Sequence, residues 1–250
     1  MKRTWYREKR YLCGDYIDTY IYPVYPVSSK RVRRGAKRKP TRAVQEKLNR
    51  RHAKEKYTRL IHANFTEKDL ALTLTFGEDP ASDREAVTRL QKYLRKLRSL
   101  YKKAGIELKY LWSMEKTKRG RVHFHLVLSG GLDRDLLEQL WPWGYSNSKR
   151  LQFEQGGLAA LGAYMTKSHW SGDEPRGGYR SYNGSKNLVD PPPEVNDYRV
   201  GSRTRAKELA EREAGAWEKL YPGCELIELE PFISDEYGSV YIFARMRRVE

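Results

Sequence analysis

Several sequence features are scarce in this chain of 250 residues, and each scarcity excludes a class of protein. The two cysteines, Cys13 and Cys224, lie far apart without the spacing of a metal site, so we expect reduced, structural thiols. No stretch approaches the roughly twenty apolar residues that a membrane span requires. Residues 1–5 contain no apolar segment of a secretory signal, so we expect a cytoplasmic protein that engages no membrane.

Acidic residues are also in short supply, and the resulting positive charge is unevenly placed. The chain has 49 Lys and Arg against 32 Asp and Glu, a net charge of +17. Residues 1–60 contain nineteen basic and five acidic residues, a net of +14, which leaves only +3 for the rest. Such a basic N-terminal arm favours contact with a polyanion, because each neutralised phosphate releases a condensed counterion. The alternatives are a solvated tail and a membrane-surface segment, although residues 30–39 have almost no apolar face.

The middle of the chain has the periodicity of an α+β domain with an antiparallel central sheet and helices packed on it. Apolar and polar residues alternate as in strands over residues 70–76, 108–115 and 121–128, and a further strand is expected to reach Phe153. Apolar residues recur at helical spacing, behind suitable start residues, over residues 83–104, 133–140 and 157–168. This core is taken as residues 61–170.

The regions on either side of this core are less regular. Within the arm we expect one short strand, residues 16–22, and a helix over residues 41–60. Residues 171–195 are rich in Gly, Pro, Ser and Asn, which predicts a flexible loop. Residues 196–250 are expected to form a helix, over 203–220, and a β-hairpin that pack on the core.

The strand at residues 121–128 carries a candidate metal site. His123 and His125 project to one side of a strand, with Phe124 on the other. If the preceding turn is centred on Arg119, Glu115 lies opposite His123 and shares its face. Two imidazoles and one carboxylate can bind a divalent cation and leave positions for a substrate oxygen. The alternative is a structural or surface pair of histidines; in another hairpin register the third ligand would be one of Glu154, Gln155 or His169.

A tyrosine on the last predicted helix of the core is the candidate nucleophile. Tyr164 and Lys167 are three residues apart and therefore share one helix face. A phenol has an ordinary pKa of about 10, so it needs a cation nearby in order to attack. Lys167 can place positive charge beside a phosphate while a metal ion polarises the phosphoryl oxygen. The alternative is a packing tyrosine beside a snorkelling lysine, since the chain has 18 tyrosines.

Three segments in this order resemble the motifs of the HUH endonucleases: Thr73-Leu74-Thr75-Phe76, His123-Phe124-His125 and Tyr164-Met165-Thr166-Lys167. The similarity is greatest to rolling-circle replication initiators of bacterial plasmids, phages and related mobile elements. It covers roughly residues 68–170 and implies that the predicted core is an endonuclease domain with an HUH or RRM-like fold.

The resemblance assigns a role to each motif. It implies that His123 and His125 bind Mg²⁺ or Mn²⁺ with a third polar ligand, for which Glu115 is the candidate. It implies that Tyr164 attacks a phosphodiester of single-stranded origin DNA, with Lys167 as its electrostatic partner. The products would be a 5′-phosphotyrosine link and a free 3′-hydroxyl that a polymerase can extend, and the reverse reaction would rejoin the ends without ATP.

The expected function is therefore sequence-specific nicking and joining of single-stranded DNA that initiates rolling-circle replication. Some initiators carry a second tyrosine one helical turn away, but Ala160 and Ser168 occupy those positions here, so we expect a single-tyrosine mechanism. The chain lacks a Gly-x-x-x-x-Gly-Lys-Ser/Thr motif, which makes host helicase and polymerase the expected partners and a small-molecule substrate unexpected. The alternatives are a transposase or relaxase with the same chemistry, a non-catalytic nucleic-acid-binding protein, and a metal-dependent hydrolase that uses water.

Basic and aromatic residues near the predicted site are candidate DNA contacts. Aromatic faces can stack on unpaired bases, which stabilises binding by about 1–3 kcal/mol per base. For Trp141 and Trp143 the alternative is burial in the core. The candidate cations are Arg119, Arg121, Arg176, Arg180 and Lys186, and the aromatic residues interleaved with them are Trp141, Trp143, Tyr145, Trp170, Tyr179 and Tyr182.

Overall fold

The computed structural model describes residues 4–26, 42–117, 119–153, 158, 161–162, 182–213, 215–234 and 238–249. Within these ranges the strands are β1 (Trp5–Cys13), β2 (Tyr16–Val24), β3 (Leu70–Thr75), β4 (Tyr110–Lys116), β5 (Val122–Leu128), β6 (Ser146–Arg150), β7 (Asn183–Gly184), β8 (Glu194–Gly201), β9 (Cys224–Ile233) and β10 (Val240–Arg248). The helices are α1 (Arg42–Asn64), α2 (Asp83–Lys103), α3 (Arg134–Gln139), α4 (Arg203–Ala210) and α5 (Ala216–Leu220). None of these helices is both long and apolar enough to cross a membrane.

The predicted α+β class is confirmed, since the strands form two antiparallel five-stranded sheets with helices. The chain divides into two compact units, which we call the central unit (residues 47–189) and the terminal unit (residues 1–46 with 190–250). This division differs from the predicted succession of arm, core, loop and C-terminal region.

The central unit is built on the strand order β6-β3-β5-β4-β7. One face of this sheet packs against α2, whose buried residues Leu90, Leu94 and Leu97 meet sheet residues such as Leu74 and Phe124. The helix begins as predicted because the Ser82 side chain accepts a hydrogen bond from the Glu85 amide, which satisfies one otherwise unpaired N–H. Within the described residues, the predicted strands and the helices predicted over residues 83–104 and 133–140 are confirmed to within a few residues. Most of the helix predicted over residues 157–168 lies outside the described residues.

Among the described residues, helix α1 covers only part of the opposite face of the same sheet. Tyr57 and Ile61 of α1 are buried together with Val127 of β5 and Leu111 of β4. Along β5, His125 and His123 follow Val127 on this face at intervals of two residues. One half of the face is thus an apolar contact with α1, and the other half carries polar side chains.

The terminal unit contradicts the prediction of an N-terminal arm for its described part. Residues 5–24 form the hairpin β1–β2, which lies in the sheet β8-β1-β2-β10-β9. The sequence predicts a strand only over residues 16–22, because Lys and Arg residues interrupt the apolar–polar alternation of β1. The most basic stretch, residues 27–41, lies outside the described residues.

The C-terminal prediction is correct for the hairpin and wrong for the helix. Strands β9 and β10 pair as expected, but β10 also pairs with β2, so the hairpin completes the sheet of the N-terminal strands. The helix expected over residues 203–220 is divided into α4 and α5, because Arg212 and Gly215 have φ angles of 56° and 70°. The loop predicted over residues 171–195 ends inside a strand, β8, and residues 196–201 of that strand belong to the region for which only a helix and a hairpin are predicted.

Candidate functional site

The hairpin register predicted for the histidine strand is confirmed. Glu115 of β4 lies directly opposite His123 of β5, and Thr75 of β3 lies on the other side of His123. Two residues along, His125 lies between Ser113 and Thr73. The polar half of the face therefore consists of two parallel rows, Thr75–His123–Glu115 and Thr73–His125–Ser113.

Both ring nitrogens of His125 have an oxygen partner. Its Nε2 lies 2.7 Å from Glu115 Oε2, a diagonal contact between the two rows. Its Nδ1 lies 3.3 Å from Thr73 Oγ1. The side chains of His125 and Glu115 are only 11% and 16% exposed, so bulk water screens their interaction weakly. The imidazole ring is consequently held in one orientation, with Nε2 toward the carboxylate.

Two of the three predicted ligands, His125 and Glu115, lie close enough together to bind one divalent cation. Neighbouring ligands of an octahedral ion with bonds of about 2.1 Å lie about 3 Å apart, close to the separation of His125 Nε2 and Glu115 Oε2. A partner on the second ring nitrogen, here Thr73, is usual for a metal-binding histidine. Within the described ranges no three His, Cys, Asp or Glu side chains are close enough together to hold a metal ion. A full ligand set would require His123 to turn toward this pair, or a ligand from elsewhere.

The predicted nucleophile and several companions lie outside the described residues: Tyr164, Lys167, Glu154, Gln155 and His169. A short helical segment is described just before Tyr164, at residues 161–162. Just before it, the Leu158 amide donates to His62 Nε2 over 3.0 Å, and the Leu158 side chain is buried with Val127. A Cβ at Gly162 would overlap the Thr58 hydroxyl, so a glycine is needed there. Leu158 and Gly162 therefore lie against α1, and Leu158 does so on the sheet face that carries the histidines.

The two tryptophans of the aromatic loop point toward the core. Trp141 is 3% exposed, and its Nε1 donates to the Thr75 carbonyl over 2.7 Å. Its burial agrees with the alternative interpretation of this residue. Trp143 is half-buried, with its ring centroid 4.9 Å from that of Trp141. Its predicted DNA contact would have to use the ring surface that remains exposed.

Tyr145 is the aromatic residue of this loop that faces solvent, with 67% of its surface exposed. Its carbonyl accepts hydrogen bonds from the amide and hydroxyl of Thr75, at 2.8 and 2.9 Å. The backbone at Gly144 is so close to that of β3 that a Cβ at Gly144 would overlap the Thr75 carbonyl oxygen.

The predicted cationic contacts are only partly described. Arg119 is exposed in the β4–β5 turn, and Arg121, also exposed, lies 3.9 Å from Asp79. Lys186 is exposed after β7. The remaining candidates, Arg176, Arg180, Trp170 and Tyr179, lie outside the described residues.

Residues 69–169 match a family model whose description names the replication-associated protein ORF2. The matched segment, about two fifths of the chain, contains the histidine rows and the predicted nucleophile. The match is consistent with a replication initiator, a protein that binds DNA. Neither curated proteins nor solved structures include a significant match to the chain.

Proposed function

We propose that this protein nicks and rejoins single-stranded DNA by tyrosine transesterification, and so initiates rolling-circle replication. The observation that carries the proposal is the contact of His125 with Glu115, in register with His123, on a sheet face within the matched segment. Imidazole and carboxylate side by side in a largely buried position suit a divalent cation that still accepts a substrate oxygen.

In the proposed reaction the phenolic oxygen of Tyr164 attacks the scissile phosphorus. A Tyr–O–P bond forms and the P–O3′ bond breaks, while the phenolic proton is released and the 3′-oxygen leaves as a hydroxyl. Lys167, which is predicted to share a helix face with Tyr164, offsets the charge of the phosphate. The link is to the 5′-phosphate of the downstream segment, so attack by the 3′-hydroxyl reverses it without an external energy source.

Three side chains of the sheet would hold the cation: His123, His125 and Glu115. Bound there, Mg²⁺ or Mn²⁺ would polarise the scissile phosphoryl group and lower the pKa of a coordinated phenol or water. Thr73 holds the His125 ring so that Nε2 faces the Glu115 carboxylate. The walls of this position are largely buried, which limits the access of water that would compete with the phenol.

A covalent-adduct assay tests the proposal. The probe is a random-sequence pool of single-stranded oligonucleotides labelled at the 3′ end, incubated with Mn²⁺ and resolved on a denaturing gel. Wild-type protein should become labelled, because the tyrosine retains the 3′ segment. The captured DNA can be sequenced to identify the preferred origin. Chelation of the metal should abolish labelling.

Matched variants separate the proposal from its alternatives. Tyr164→Phe and His125→Ala should lose the adduct, whereas Tyr198→Phe and His52→Ala, at an exposed tyrosine and an exposed histidine, should retain it. Cleavage that persists in Tyr164→Phe without an adduct would indicate a hydrolase that uses water. Binding without cleavage at any metal concentration would indicate a nucleic-acid-binding protein.

A further inference from the structure

The edge strand β6 carries a row of three side chains that could contact nucleic acid, on the sheet face that also carries His123 and His125. Asn147 lies opposite Thr73 and Lys149 lies opposite Ala71, so both share the face of His125. Tyr145 immediately precedes the strand and is hydrogen-bonded to Thr75, which places its side chain on this face as well. Aromatic ring, amide and ammonium thus follow each other at two-residue intervals over about 13 Å.

The Tyr145 ring is held along this strand and is open to a ligand. Asn147 Nδ2 donates to Tyr145 Oη over 3.2 Å, which turns the ring toward the following residues of β6. The residue nevertheless remains 67% exposed. An aromatic ring that is both oriented and exposed can stack on a base with little loss of side-chain entropy.

The other face of β6 is anchored, so the row has a fixed support. Ser146 Oγ donates to the Glu138 carbonyl oxygen over 2.8 Å, and the Ser148 amide and hydroxyl both donate to Glu138 Oε1, at 2.7 and 2.6 Å. These serines are 9% and 5% exposed. They attach the strand to the end of α3 and leave the alternate side chains free to project from the sheet.

We propose that Tyr145, Asn147 and Lys149 form a track that binds single-stranded DNA along β6, so that the DNA passes the ends of the two histidine rows. In this arrangement Tyr145 stacks on a base, Asn147 donates to or accepts from a base edge, and Lys149 neutralises a phosphate. The inference rests on the proposed function for its substrate. It adds the direction in which the DNA strand runs past the site. Tyr145 is a positioning residue, since it holds a base and does not touch the reacting phosphate.

The test measures binding in the absence of metal, so that cleavage plays no part. Fluorescein-labelled oligo(dT) is titrated with the full-length protein at several salt concentrations, and anisotropy is recorded. Tyr145→Ala should weaken binding by about 5- to 150-fold, the range for the loss of one stacked base, without changing the salt dependence. Tyr145→Phe keeps the ring and should restore most of the affinity.

Two neighbouring cations supply a matched charge control. Lys149→Gln should reduce the slope of log affinity against log salt by about 0.7, the value for one phosphate contact on a single strand. Arg150→Gln removes the same charge from the opposite face of β6, where the guanidinium donates to the Lys68 carbonyl, and should leave the slope unchanged. Equal effects of the two substitutions would overturn the track, because only net charge would then matter.

The outcomes distinguish this inference from the proposed function. Unchanged affinity of Tyr145→Ala, in a wild-type background that binds oligo(dT) and forms the adduct, would overturn the track alone. Loss of affinity in Tyr145→Ala with no adduct in wild type would support the track and reject the nicking reaction. Failure of wild-type protein to bind single-stranded DNA would overturn both. Circular dichroism melting of each variant shows whether lost binding reflects lost folding.

Discussion

The two five-stranded sheets of this molecule differ in the side chains that are paired with their buried acidic residues. In the terminal unit Asp18 is fully buried and bonded by the equally buried Arg245, with Nε–Oδ1 and Nη2–Oδ2 distances of 2.7 and 2.9 Å. Burial alone would lower the pKa of Arg245, but attraction and hydrogen bonds from Asp18 raise it above its ordinary value. In the central unit the largely buried Glu115 instead has an imidazole, that of His125, as a partner.

The difference separates a structural ion pair from a candidate reactive one. A guanidinium cannot give up its proton, so the bidentate pair in the terminal unit is fixed. An imidazole can give up its proton and offer a lone pair, so the His125–Glu115 pair has the chemistry that the proposed cation site requires. The two sheets thus differ in the partner of a buried carboxylate, which is a permanent cation in one sheet and a titratable base in the other.

The largest effect on stability is expected when the guanidinium of Arg245 is removed. Arg245→Met keeps much of the side-chain volume but leaves Asp18 buried without its main partner, and we expect a loss of about 3–5 kcal/mol in the stability of the terminal unit. Hydrogen exchange read by mass spectrometry should show the loss in peptides of β2 and β10. The double variant Asp18→Asn with Arg245→Met should recover part of the stability; no recovery would mean that packing, and not the unpaired charge, sets the cost.

A smaller effect is expected in the central unit from Gly144→Ala. A Cβ there would overlap the Thr75 carbonyl oxygen and lie 2.5 Å from the Gly77 amide nitrogen, and backbone atoms cannot turn aside as a flexible side chain can. We expect destabilisation by about 1–3 kcal/mol, as for other overpacked positions, measured as a lower urea midpoint. The matched substitution is Gly120→Ala, where nothing lies within 4 Å of the added Cβ but φ is +81°. It therefore tests backbone strain alone, and an equal loss at both positions would remove the steric explanation.

A still smaller change in stability is expected from Glu115→Gln, although its effect on the proposed metal site is large. Glutamine can still hydrogen-bond His125 Nε2, so the stability should fall by about 1 kcal/mol or less. Loss of a charged ligand should weaken Mn²⁺ binding at least about 10-fold, as followed by electron paramagnetic resonance. Glu107→Gln, which changes the charge equally at an exposed residue before β4, is the control. Unaltered Mn²⁺ affinity in Glu115→Gln would reject Glu115 as a ligand.

The sequence predicted the central unit better than the terminal one for a physical reason. Residues 70–128 contain clean alternation and a capped amphipathic helix, and a short turn set the register of Glu115 and His123, so local rules sufficed. In the terminal unit β1 pairs with the neighbouring β2 but also with β8, which lies nearly 190 residues away along the chain. The charged side chains that interrupt the alternation of β1 are paired with residues far away in the sequence. One example is the hydrogen bond that Arg199 donates to Glu8.

Prediction of the candidate site failed where contacts depend on side-chain direction. The spacing of the histidines could place them on one face, but it could not show that His125 contacts Glu115 diagonally, or that Thr73 holds its ring. Composition indicated an aromatic platform without revealing that Trp141 points inward and Tyr145 outward. Such choices are decided by packing against neighbouring strands, which periodicity does not encode.

The smallest expected effect concerns a partly exposed ion pair of the terminal unit and its dependence on pH. The hydrogen bond from Arg7, at 2.6 Å, lowers the pKa of Asp197 below its ordinary value, and Coulombic attraction from the same guanidinium adds to this. Because the folded state binds the proton more weakly than the unfolded state, the pair stabilises the fold above the unfolded pKa of about 4, and this contribution is lost as pH falls through the folded value. Urea midpoints measured by circular dichroism from about pH 2 to 6 should therefore decline less steeply on acidification in Asp197→Asn than in wild type. Asp15→Asn, in the exposed β1–β2 turn, is the matched change; if it flattened the profile equally, general charge reduction and not the Arg7 pair would account for the effect.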